Sequence, residues 1–310
     1  MTSSRAGHLA LTTAASLAVA ALAFSATPEV PPTATPAPAS PELCRANISC
    51  ASQLWREETF ELKSKAGTAP YVIHLSIPGT PAPVAGYPVV YLLDAGTAFG
   101  TLADIAHYQA LFFSPTVVVG VHYPDVFDVQ RRSDDMLPPG SDAFLAFLVE
   151  DVRAELTKRA KIDATHQALF GHSLSGLFVL RVLFTQPQHF DTYVAADPTI
   201  GMGGYRLLQR VPPLQKQGIA GPPRRVLLTR GVGGEAPEVL RFAKRAGIPL
   251  PKEGPPDPNA VSLADFAKML ESIKGLSVSY VEFPGETHET MVPAHLGRGF
   301  RWTLTGWDPP

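Results

Sequence analysis

The pattern of apolar and polar positions changes near residue 58, and from there it predicts a sheet of strands. Segments 59–65 and 71–77 alternate apolar and polar residues, which is typical of two antiparallel strands at a sheet edge. Segments 88–93 and 116–121 are short continuous apolar runs, as expected of strands buried on both faces. Further strands are predicted at 168–170, 192–196, 225–229 and 277–283.

Segments with helical spacing lie between these strands. The clearest is 142–158, where Phe144, Leu148, Val152 and Leu156 fall on one stripe. Strands that alternate with helices predict an α/β fold with a mostly parallel central sheet and helices on both faces. Ligands then bind beyond the carboxyl ends of the strands. The other predicted helices span 102–112, 174–184, 237–246, 263–273 and 293–304, and the proline-rich stretch 249–258 is interpreted as a surface loop.

The N-terminal residues predict an export signal rather than part of the fold. Arg5 and His8 precede an apolar stretch, and small residues offer cleavage after Ala23 or Ala26. An uncleaved N-terminal anchor is the alternative. We therefore expect a signal peptide over 1–26, a proline-rich linker over 27–52 and a catalytic domain over 53–310. The expected location is secreted or periplasmic, with no stable membrane insertion after the signal is removed.

The cysteines and the net charge of the chain limit the kinds of cross-link, partner and cofactor that we expect. Cys44 and Cys50 are the only cysteines, and in an exported chain this spacing predicts a local disulfide. The net charge of −2 gives no reason to expect a nucleic acid partner. No HExxH or comparable spacing is present, so neither a metal nor another cofactor is expected.

The strongest chemical motif is the Gly-x-Ser-x-Ser-Gly string at 171–176. An apolar strand runs into this string and continues directly into an apolar helix, which is the context of a nucleophile elbow. Ser173 is the predicted nucleophile, and Gly171 and Ser175 provide small flanking side chains. Gly176 is expected to allow a close helix–strand approach. The Leu174 N–H is the predicted first oxyanion donor.

A serine nucleophile requires a base and, in this fold order, an acid between the two. His288 follows the last predicted strand and is the expected base, whereas His172 and His295 are interpreted as structural. Glu235, in the loop after strand 225–229, is the predicted acid. Glu238 and a Ser–His dyad stay open as alternatives, with Asp257 and Asp265 as more distant candidates.

Gly96 lies in the loop after strand 88–93, where a glycine N–H can approach a carbonyl oxygen closely. It is the predicted second oxyanion donor, the alternative being a plain turn. Arg131 and Arg132 follow a central strand and are candidate contacts for an anionic substrate, although paired loop arginines are also common as solvated residues.

These motifs together resemble the putative-esterase group of α/β-hydrolases, which includes siderophore (enterobactin-type) esterases and is related to esterase D and the mycolyl transferases. The matching pieces are Tyr87-Pro-Val-Val-Tyr-Leu-Leu-Asp94, Val119-Gly-Val-His-Tyr-Pro124, Gly171-His-Ser-Leu174 and Phe283-Pro-Gly-Glu-Thr-His288. The chain departs from this group at Ala95 and Ser175, where glycine is usual. It also departs at Asp197-Pro-Thr199, where Ser-Pro-Ser is common.

The resemblance implies a serine esterase that acts on small carboxylic esters, including siderophore trilactones, through an acyl-enzyme intermediate. Two alternatives stay open. One is an acyltransferase on the same scaffold, and the other is a non-catalytic binding protein that has kept the fold.

Overall fold

The structure is a computed structural model that describes residues 55–65, 69–125, 128–202, 206–233, 241 and 260–308. The predicted signal peptide, the linker with Cys44 and Cys50, and the loop at 249–258 lie outside the described residues. The predicted helix at 237–246 also lies outside them apart from Arg241.

The centre of the fold is one sheet of eight strands in the order β1-β2-β4-β3-β5-β6-β7-β8. The two strands at one edge pair antiparallel, as the alternating pattern predicted, and the strands from β4 to β8 are parallel. The strands are β1 Trp55–Leu62, β2 Tyr71–Pro78, β3 Tyr87–Leu93, β4 Val117–His122, β5 Ile162–His172, β6 Thr192–Ala196, β7 Arg224–Gly231 and β8 Leu276–Phe283.

Helices cover both faces of this sheet. Alternate residues of β3 belong to two separate cores, with Tyr91 in one and Val90 and Leu92 in the other. This division confirms the predicted α/β-hydrolase architecture, because only a strand covered on both faces buries every side chain. The helices are α1 Phe99–Gln109, α2 Val129–Met136, α3 Ser141–Ala146, α4 Arg153–Thr157, α5 Leu174–Thr185, α6 Val211–Gln217, α7 Leu263–Glu271 and α8 Val292–Trp307.

Two helical predictions require correction. The single helix predicted over 142–158 is divided, because a π-helical segment, Phe147–Val152, lies between α3 and α4. Helix α2 was not predicted, since its sequence VQRRSDDM carries no apolar stripe. Its first turn is instead held by the Asp128 side chain, which accepts a hydrogen bond from the Arg131 N–H at 3.0 Å.

Candidate active site

Ser173 stands in the sharp turn between β5 and α5. Its backbone is strained, with φ 62° and ψ −118°. The Ser173 N–H donates to the Ala196 carbonyl at 2.9 Å, and its own carbonyl accepts from Thr199 at 3.2 Å. The turn is therefore held to the end of β6 on both sides, which fixes the direction in which the Ser173 side chain leaves the sheet.

The residues around Ser173 are small because neighbouring backbone occupies the space. A Cβ on Gly171 would collide with the carbonyl of Ser175, and one on Gly176 would lie 3.1 Å from the Ala196 oxygen. The Ser175 hydroxyl, which is fully buried, donates to the His172 carbonyl and accepts from the His172 N–H, both at 2.9 Å. Serine at 175 thus ties the two arms of the elbow together, a bond that glycine cannot form.

Backbone strain marks the same edge of the sheet in three places. Among the described residues, the non-glycine residues with positive φ are Asp94 at 54°, Ser173 at 62° and Asp197 at 36°. Each directly follows one of the neighbouring strands β3, β5 and β6. Such strain persists where the surrounding structure holds it, and it clusters at active sites. The carboxyl ends of these strands therefore form the candidate site.

His288 reaches this edge from the loop after β8. Its backbone is fixed by His172, whose Nε2 lies 2.8 Å from the His288 carbonyl, and the two rings are 4.5 Å apart. Burial, together with the nearby charge of His288, lowers the pKa of His172 to about 3. His172 is thus a neutral ring whose Nε2–H donates to that carbonyl. This hydrogen bond holds the backbone of the histidine loop.

The two ring nitrogens of His288 face different environments. Its Nδ1 lies 3.2 Å from Oδ2 of Asp197, and its Nε2 is buried without a hydrogen-bond partner among the described residues. Ser173 is bonded to Ala196, the residue before Asp197, so all three side chains belong to one corner of the sheet. A carboxylate at Nδ1 leaves Nε2 as the acceptor for a serine proton.

The structure gives different results for the carboxylates that the sequence offered as the acid partner of His288. Glu235, Glu238 and Asp257 lie outside the described residues, so the assignment of Glu235 stays a prediction. Asp265 lies in the first turn of α7, where its N–H donates to the hydroxyl of the N-cap residue Ser262 and its carboxylate accepts from that hydroxyl. Asp197 was not considered as an acid, although its position directly after a parallel strand was the available signal.

The predicted oxyanion donors lie in the turns after β5 and β3. Leu174 is the first residue of α5, where backbone N–H groups have no partner within the helix. Gly96 lies in the turn Ala95–Thr97 that directly follows Asp94. Both belong to the edge that carries Ser173, and their role as donors stays a prediction.

The two candidate substrate-binding arginines have internal partners. Arg132 binds both carboxylate oxygens of Asp94, at 2.9 and 2.8 Å. The Arg131 guanidinium lies over the rings of Tyr71 and Tyr123 and donates to the Pro70 carbonyl at 2.8 Å. These contacts favour structural roles, above all for Arg132, which holds the strained residue in front of Gly96. Substrate binding by either arginine stays a prediction.

Replacing Arg132 with alanine is expected to lower the free energy of unfolding by about 1–3 kcal/mol, since it leaves a half-buried carboxylate without its partner. It should also reduce kcat by a similar factor for neutral and anionic esters. Urea denaturation and kinetics on an ester pair that differs in charge would measure both effects, with the exposed Arg298→Ala as control. A loss confined to KM for the anionic ester would instead support substrate binding.

Within the part of the chain that the structure describes, no group of three or more His, Cys, Asp or Glu side chains could hold a metal ion.

His295, inside α8, is buried and packs near Phe170 at a ring distance of 6.1 Å. Burial lowers the pKa of His295 to about 3. It is therefore a neutral core residue, as predicted, and it adds no charge near the site.

Comparison with known proteins agrees with this geometry. The family model described as Putative esterase matches residues 69–201. The ferri-bacillibactin esterase BesA of Bacillus subtilis is 31% identical over 271 residues, which are 78% of this chain and 88% of that protein. The apo-salmochelin esterase of Escherichia coli is 31% identical over 47% of this chain and 52% of its own length.

The same relationship holds among solved structures. The crystal structure of the BES protein from Bacillus cereus has a TM-score of 0.64 and 28% identity, covering 80% of this chain and 96% of its own. The chain therefore belongs to the putative-esterase family of α/β-hydrolases and is a serine ester hydrolase.

Proposed function

We propose that this chain is an exported siderophore esterase in which Ser173 is the nucleophile and His288 is the general base. The observation that carries the residue assignment is the state of His288. Its Nε2 is buried without a partner in the described chain, and its backbone is bonded to the residue that precedes Ser173. The relatives named above act on siderophores, and this supports the substrate class.

The mechanism follows from the positions of these groups. Ser173 Oγ attacks the ester carbonyl while His288 Nε2 takes the hydroxyl proton, and the Leu174 and Gly96 N–H groups stabilise the oxyanion. His288 then returns the proton to the leaving alcohol, which leaves an acyl group on Ser173. Water enters, gives a proton to His288, and attacks the acyl carbonyl. His288 then gives this proton to Ser173 Oγ as the bond between the acyl carbon and Oγ breaks, and the products are the carboxylic acid and free Ser173.

A cavity beside α5 has a lining that suits a large substrate with an anionic part. It has a volume of about 710 Å³ and is lined by Leu177, one helical turn after Ser173, and by Phe184 near the other end of α5, but not by Ser173 or His288. Its wall includes the apolar side chains of Leu177 and Met202, and the exposed Arg206 and Arg210 also line it. An aromatic anion suits this lining, because the apolar wall buries a ring and the guanidinium groups attract the charge.

The test is hydrolysis of a catecholate trilactone, in ferric and iron-free forms, compared with a p-nitrophenyl ester. We expect kcat/KM for the trilactone to exceed that for the simple ester by at least about tenfold, because remote binding energy contributes to the reaction. Chromatography with mass detection would follow the linear products, with Ser173→Ala as the inactive control. No trilactone cleavage by a protein that hydrolyses the simple ester would contradict the siderophore proposal.

The same product analysis distinguishes hydrolysis from transfer. An acyltransferase would yield a new ester when an alcohol acceptor is added, whereas an esterase yields the free acid.

Export is proposed from the N-terminal pattern at 1–26. N-terminal sequencing of protein from the periplasm or medium would test it, and an N-terminus after residue 23 or 26 is expected. Among the described residues, no helix is long and apolar enough to cross a bilayer.

A further inference from the structure

We infer that Asp197 is the carboxylate that orients His288, so that the third member of the catalytic group comes from the end of β6. This inference rests on the proposed roles of Ser173 and His288. It differs from the sequence-based assignment, which places the acid after β7 at Glu235. The carboxylate acts through the imidazole and does not contact substrate, so Asp197 is a positioning residue.

Distance and burial carry the first step. Oδ2 of Asp197 lies 3.2 Å from Nδ1 of His288, within the range of an N–H···O hydrogen bond. Their side chains are 17% and 6% exposed, so solvent competes little for either group. In a site without substrate, catalytic hydrogen bonds are often long and tighten in the complex. This pair therefore has the arrangement in which a carboxylate selects the Nδ1–H tautomer.

The backbone at Asp197 shows that its position is imposed by the fold. Its N–H donates to the Thr229 carbonyl at 2.7 Å, so it is tied to β7 immediately after β6 ends. Its φ of 36° is unfavourable for most side chains, but aspartate and asparagine tolerate it. Ala196, the preceding residue, accepts the hydrogen bond from Ser173. The same turn thus fixes the nucleophile and the carboxylate relative to each other.

The charge of Asp197 also affects the pKa values of groups around the Asp197–His288 pair. It raises the pKa of His172, although burial and His288 have the larger, opposite effect there. From β8, the pKa of Tyr280 is raised by burial and by Glu282, with a smaller contribution from Asp197, while Arg230 of β7 lowers it. These effects agree with the position of Asp197 beside His288, whose Nδ1 lies within hydrogen-bonding distance of the carboxylate.

The decisive variant is Asp197→Asn, which keeps the side-chain shape and the tolerance for positive φ. An amide can donate to Nδ1 and stabilise the wrong tautomer, so we expect kcat on a neutral p-nitrophenyl ester to fall by about 10²–10⁴-fold. KM should stay within about threefold, because Asp197 does not touch substrate. Glu235→Gln tests the assignment made from the sequence, and its loss of kcat should be at least about tenfold smaller than that of Asp197→Asn.

A pH profile separates positioning from a general structural effect. The carboxylate stabilises the imidazolium that forms when His288 takes the serine proton, so its removal should move the acid limb of the kcat/KM profile down by about one pH unit. Glu282→Gln removes a carboxylate from the same sheet edge without a contact to His288, and it should leave the limb in place. Circular dichroism would verify that each variant is folded.

A signal independent of turnover is the downfield proton resonance of a hydrogen-bonded His288 Nδ1–H. It should be present in wild type and Glu235→Gln and absent in Asp197→Asn. The inference is overturned if Asp197→Asn keeps kcat within about tenfold, or if Glu235→Gln alone removes the resonance and shifts the acid limb. If wild type itself shows no turnover that depends on Ser173, the proposed residue roles fail instead.

Discussion

Replacing Ser173 with alanine is expected to lower kcat for ester hydrolysis by about 10⁵–10⁶-fold, leaving only the contribution of oxyanion stabilisation and binding. The elbow should survive this change, because the hydrogen bonds that hold it come from the backbone of Ser173 and from the Ser175 side chain. The KM or Kd for substrate should therefore change little. Steady-state kinetics and covalent labelling by a fluorophosphonate would measure the effect.

Peptide mapping of the labelled wild type should locate the adduct on Ser173, and the alanine variant should take no label. Ser277→Ala is a suitable control, since Ser277 is exposed near the start of β8 and so lies at the opposite end of that strand from His288. More than about 1% residual kcat in Ser173→Ala would contradict its role as nucleophile, because nucleophile removal in serine hydrolases costs far more.

The central features of the fold follow from the sequence because they depend on local patterns. Buried strands such as β6 were predicted to the residue, and the elbow was recognised from small residues between an apolar strand and an apolar helix. The reason is physical: a strand covered on both faces is mostly apolar, and a strained turn excludes large side chains.

The triad acid could not be located in the same way. A chain-order rule directs attention to the loop after β7, where Glu235 lies. The contact of Asp197 with His288 depends instead on how the loop after β8 packs across its neighbours. That packing requires Gly231, at which a Cβ would collide with the Thr287 carbonyl. Such an approach between two distant loops leaves no periodic signal in the sequence.

The arginines illustrate a second limit. Arg131 and Arg132 were interpreted as loop residues near the mouth of the site, because they follow a central strand in the sequence. They belong to α2, whose stability comes from tertiary contacts such as the bidentate pair of Arg132 with Asp94. A helix built on ion pairs and caps rather than on an apolar face is not visible to a periodicity argument.

Replacing His288 with alanine is expected to reduce kcat nearly as much as the loss of Ser173, by about 10⁴–10⁶-fold, because serine and histidine act as one unit. For the same reason the double variant Ser173→Ala/His288→Ala should be no slower than either single variant. The remaining activity of His288→Ala should lose the acid limb of the pH–rate profile, since the general base has been removed. Fluorophosphonate labelling of Ser173 should slow to a comparable degree.

The structure offers a matched control for this experiment. At the other end of β5, His166 Nδ1 lies 2.7 Å from Oδ2 of Asp163, a histidine–carboxylate pair remote from the predicted nucleophile. His166→Ala should leave kcat within about twofold. Added imidazole should restore part of the activity of His288→Ala by occupying the vacated space and accepting the Ser173 proton, and it should not affect Ser173→Ala. Equal losses in the His166 and His288 variants would mean that the loss of any histidine–carboxylate pair, rather than proton transfer at Nε2, accounts for the effect.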